Sequence, residues 1–87
     1  MPYIDYDNRE KYLSVTNEID KLEEITTKGD IEYLIFKIMK KALQSRRFCY
    51  TDLHDITYAA IHCGHEFERR FLDKREDEAM AKNGDII

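Results

Sequence analysis

Apolar residues recur at steps of three and four along three stretches of this chain, and each recurrence predicts one face of a helix. The longest stretch runs 51–82, where Leu53, Ile56, Ala60, Cys63, Phe67 and Phe71 form the stripe. Thr51 is placed to cap its start, Asp52 and Asp55 suit the positive end of the helix dipole, and Asn83-Gly84 suits its stop. At about 1.5 Å per residue this helix is on the order of 45 Å long, more than a compact domain of this size needs. Part of it is therefore expected to project or to meet a second subunit.

Two shorter helices are predicted before it. Residues 1–6 read as an extended arm, because Pro2, Tyr3, Ile4 and Tyr6 show no helical period, and their apolar area favours docking on the body. A helix over 7–25 follows, with Asp7 and Glu10 at capping-box spacing and a narrow seam of Tyr12, Val15, Ile19 and Leu22. Gly29 supplies the break, and Asp30 is expected to cap a helix over 30–45. Ile31, Leu34, Ile35, Ile38, Met39, Ala42 and Leu43 give that second helix the broadest stripe and the deepest expected burial. The pattern predicts one all-α domain of three helices over 1–87, with no repeat and no second domain.

Composition adds a reason for assembly. With 87 residues, 37% of them charged and 43% hydrophobic, and a mean hydropathy of −0.66, one chain buries too little to offset its ordering entropy. Self-association into a homo-oligomer, through the second and third helices, is the expected remedy. The two cysteines, Cys49 and Cys63, follow an opening without the basic and apolar regions of a secretory signal. A reduced, cytoplasmic setting is expected, with no membrane partner, since no apolar run approaches the ~20 residues of a span.

Charge divides the chain. The net value is −4, which argues against a partner of duplex nucleic acid. The middle is nevertheless basic, with Lys37, Lys40, Lys41, Arg46 and Arg47, whereas Glu18 to Glu24 and Glu76 to Glu78 are acidic. Such segments are suited to pair within the fold or between subunits.

This frame offers three kinds of chemistry. Arg46, Arg47, Arg69 and Arg70 present planar forks suited to phosphate, and Tyr50 offers a ring for a base, so an anionic nucleotide-like ligand is the leading candidate. The competing reading pairs the same arginines with carboxylates on solvated faces, where they contribute little. His62 and Glu66, four apart and near His54 and His65, join the candidate binding set, but one helix supplies too few ligands to predict a metal. Gly64 within the helix suggests a close approach by another backbone. Acidic residues of the first and third helices imitate a magnesium-dependent nucleotide pyrophosphohydrolase without its spacing, so an enzyme is an alternative behind the binding readings. No cofactor motif is present and none is expected.

With these residues in view, the chain resembles a family of small uncharacterised helical proteins of bacteriophages and prophages. The likeness rests on the Met1-Pro2-Tyr3-Ile4 opening, the arginine and tyrosine turn before the last helix, Glu66-Phe67-Glu68-Arg69-Arg70, and Glu76-Asp77-Glu78 with the ending Asn83-Gly84-Asp85. Where such proteins carry a proline before the acidic segment, this chain has Asp73-Lys74-Arg75. The resemblance implies a viral accessory protein in the bacterial host's cytoplasm. Proteins of this type often form oligomers that counter host defence, by capturing a nucleotide signal or by masking a host protein.

Overall fold

The computed structural model describes residues 2–87. Every regular element among them is helical, and there are three helical segments. The first comprises α1 (Tyr6–Arg9), a 3-10 turn (Glu10–Tyr12) and α2 (Leu13–Asp20). The second is α3 (Lys28–Gln44). The third joins α4 (Tyr50–Phe67), a π turn (Glu68–Leu72) and α5 (Asp73–Asn83) into one continuous rod. At about 1.5 Å per residue the rod is roughly 50 Å long, and it sets the molecule's longest dimension of 49 Å.

Helix ends depart from the periodicity for local reasons. The first segment stops at Asp20, short of the expected Ile25. Glu18, Asp20, Glu23 and Glu24 crowd the negative end of its dipole, and Ile25-Thr26-Thr27 is a β-branched run of poor helix propensity. The expected capping box does not form, since the segment begins after Asp5 without a side-chain cap. Asp30 does not cap α3 either. Thr27 does, its hydroxyl accepting the Asp30 amide at 3.1 Å, which places Gly29 inside the first turn of the helix. Thr51 likewise yields to Cys49 as the residue before α4. At the far end Gly84 takes φ +93°, a region open mainly to glycine, and its amide returns to the Met80 carbonyl at 2.9 Å.

Packing is sparse. α3 lies against α4, and the half-buried residues Met39, Ala42, Leu43, Leu53, Ile56 and Ala60 mark that contact. No described residue is fully buried, so the deep burial expected of the second helix is not present in one chain. Leu34 is 36% exposed and Ile38 60%. The accessible surface is 8374 Å², against about 5,400 Å² for a compact chain of this mass, an excess of roughly 3,000 Å². The radius of gyration agrees, at 16.7 Å where about 12 Å is usual for this length.

Candidate functional site

Six of the seven candidate binding residues fall into two clusters near opposite ends of α4, and His62 lies between them. Tyr50 and Glu66 are 16 positions apart, which is about 24 Å along a helix.

The first cluster is built by the turn between α3 and α4. Asp52, in the first turn of α4, receives the Arg47 amide at 3.2 Å and the Cys49 thiol at 3.3 Å. Arg46 Nη1 bridges Asp52 and Asp55, each at 3.3 Å. The Cys49 hydrogen bond, then the Arg47 amide and the two guanidinium charges, hold the Asp52 carboxyl below the usual carboxylate range, against partial desolvation. Arg46 is thus engaged by carboxylates, though not those the charge pattern had suggested. Arg47 leaves its head group largely in water, 4.0 Å from Asp52, and Tyr50 is 81% exposed.

The second cluster sits on the π turn. Arg69 Nε donates to Glu66 Oε1 at 2.9 Å, and Arg69 Nη2 contacts the same oxygen. That pairing lowers the Glu66 pKa and raises that of Arg69. Glu66 is therefore committed to Arg69 and makes no bond to His62. Arg70 points the other way. Its guanidinium donates to the Tyr3 hydroxyl at 3.0 Å and lies 5.5 Å from the Phe71 ring centre. Pro2, Tyr3, Cys63, Phe67, Arg70 and Phe71, with Glu66, border an open groove of 230 Å³, smaller than the roughly 300–1,000 Å³ of small-molecule sites. The arm thus lies against the third segment.

His62 belongs to a feature that the apolar periodicity passes over. Tyr50, His54, Tyr58 and His62 recur every four residues, and their rings form a ladder along α4. His54 stacks on Tyr58 at 4.2 Å and 22°, with spacings of 5.7 Å to Tyr50 and 6.0 Å from Tyr58 to His62. His65 follows at 6.5 Å from His62. At about 100° per residue the ladder falls nearly opposite the stripe that packs on α3. Its signal in the sequence was the i, i+4 recurrence of rings rather than of aliphatic side chains.

Among the described residues, no three His, Cys, Asp or Glu side chains are grouped to hold a metal ion, and no helix is long and apolar enough to cross a membrane. Gly64 has no heavy atom within 4 Å of where a Cβ would stand, so no backbone of the same chain approaches it.

Residues 1–86 match the model of a family described as Domain of unknown function (DUF6899), and the chain belongs to that family. No curated protein and no solved structure matches it.

Proposed function

We propose that this member of the DUF6899 family is a non-enzymatic helical interaction protein that works as a homo-oligomer. The missing interior carries this reading. Ile31, Leu34, Ile35 and Ile38 of α3 and Val15 and Ile19 of α2 are all more than a third exposed in the single chain. An excess of roughly 3,000 Å² per chain is ample for an obligate interface, which buries about 2,000–5,000 Å² counting both partners. Such apolar faces are stable in water when another helix covers them.

The likeness to bacteriophage and prophage proteins supports a setting in the cytoplasm of an infected bacterium, where the assembled surface masks a host protein. Native mass spectrometry of protein purified from its host tests the assembly, with two or more subunits expected. A single subunit with intact helical structure would remove the reading. Affinity capture from host lysate, with and without the α3 face intact, tests the host target.

A second reading is favoured by the placing of the arginines. Arg46, Arg47 and Tyr50 lie at one end of α4 and Glu66, Arg69 and Arg70 at the other. An antiparallel partner helix with its two-fold at Tyr58 would set Arg46 beside Arg70, Arg47 beside Arg69 and Tyr50 beside Glu66. His62 would then face the partner's ladder. Two equivalent sites for an anionic nucleotide-like ligand follow, with guanidinium groups from both chains and a tyrosine ring in each. Calorimetric titration with linear and cyclic nucleotides tests it, and absence of heat across the panel removes the ligand but leaves the assembly standing.

A further inference from the structure

We infer that the outer face of α3 is the seat for α5 of a second copy of this chain. The inference rests on the self-association reading and says which surfaces meet. Tyr33, Phe36, Lys37, Lys40, Lys41 and Gln44 border an open groove of 480 Å³ along that face. Tyr33 is 70% exposed and Phe36 63%, a large aromatic area for the outside of a helix. Among the described residues none of the three lysines has a carboxylate within ion-pair distance. Lys41 reaches only the Gln44 side-chain oxygen, at 3.4 Å.

α5 carries the complement. Asp73, Glu76, Asp77 and Met80 recur at steps of three and four, so three carboxylates surround one methionine on a single face. Arg75 falls on the other side and pairs there with Glu78 at 3.4 Å. Asp73, Glu76 and Asp77 have no cation within ion-pair distance among the described residues. α5 packs closely on no element beyond the π turn before it, and no close packing joins α3 and α5 of the same chain. α5 is the 11-residue far end of the continuous rod, and its own acidic face is left bare. The basic aromatic face lacks an acidic apolar cover, and the acidic helix lacks a support.

Antiparallel seating sets Asp77 opposite Lys37 and Asp73 opposite Lys41, with Met80 beside Tyr33. A two-fold pair makes this contact twice and closes, leaving no open end for fibre growth. The methionine and the rings supply the burial, while the charges fix register and choice of partner, since exposed ion pairs alone contribute little. The ladder face of α4 stays free for a second contact.

Sedimentation equilibrium on charge-reversal variants is the test. Lys37→Glu with Lys40→Glu is expected to raise the dissociation constant by about 10-fold or more, and so is Glu76→Lys with Asp77→Lys. The chain carrying all four changes should return to within about 3-fold of the parent, because the faces are complementary again with signs exchanged. Circular dichroism at concentrations where each variant is assembled should be the same for all, as every altered residue is exposed. Parent-like assembly of either reversal variant would overturn the inference, as would failure of the fourfold variant to recover. So would tight binding of labelled oligo-dT through the same lysines with assembly unaltered. A parent protein that is monomeric at every concentration would instead remove the self-association reading itself.

Discussion

The Tyr3 hydroxyl and the Arg70 guanidinium are 3.0 Å apart and 67 positions apart in the chain. Through this contact the arm reaches the π turn. Tyr3 lies over the groove beside Phe67 and Phe71, and Arg9 Nε closes the arm from behind by donating to the Ile4 carbonyl at 2.7 Å. Tyr3→Phe is expected to cost about 0.5–1 kcal/mol by loss of one exposed hydrogen bond. Tyr3→Ala should cost more, because it also uncovers the two phenylalanines. Hydrogen exchange of the amides at 6–9 checks the order, with the alanine variant exchanging fastest.

Asp52 holds the turn between α3 and α4 through the Arg47 amide, the Cys49 thiol and Arg46. Its carboxyl is lowered below the usual range in the folded chain, so its contribution is present above the unfolded carboxylate pKa and is lost as pH falls through the folded one. Asp52→Asn is expected to lower Tm by a few degrees at neutral pH and to flatten the acid side of the stability profile. Thermal unfolding between neutral pH and the acid limit measures both effects. An unchanged acid slope would contradict the assignment.

Thr27, rather than Asp30, caps α3. Thr27→Ala should therefore destabilise by about 1 kcal/mol. Asp30→Asn should cost less than half of that, since it removes only a favourable charge in the first turn. Urea unfolding of the two variants separates the roles.

Gly64 sits in the last turn of α4, inside the continuous rod, with open space where its side chain would be and no positive φ. Gly64→Ala is expected to stabilise the helix by about 0.5–1 kcal/mol. Chemical unfolding of the dilute chain measures it. A loss instead of a gain would mean that another chain's backbone occupies the space.

These positions show how much of the fold was legible in the sequence. Three helical segments, the docked arm and the stop at Gly84 follow from strong local signals: a 3.6-residue stripe, an aperiodic opening and a glycine able to take positive φ. Capping residues were less legible. Thr27 and Asp30 lie three apart in one helix start, and either supplies an acceptor. The end of the first segment turned on repulsion between acidic residues and the dipole, which a hydrophobic period does not record. The π turn at Glu68–Leu72 keeps the rod continuous, as the expected helix over 51–82 requires. Its extra residue changes the phase between α4 and α5, so the stripe ending at Phe71 does not predict the face of α5. The candidate arginines were legible as residues but not as a site: Glu66 is a local partner of Arg69, but Asp52 and Asp55 reach Arg46 and Tyr3 reaches Arg70 only as the turn and the arm fold back.

Everything proposed for this chain depends on a helical fold that is completed by other copies of itself. Thermal unfolding followed by circular dichroism over a hundredfold range of concentration tests that dependence most directly. The expected result is a Tm that climbs with concentration, because assembly stabilises the folded state by mass action. A sharp transition at one fixed Tm, from a species that sediments at 10.4 kDa throughout, would contradict it.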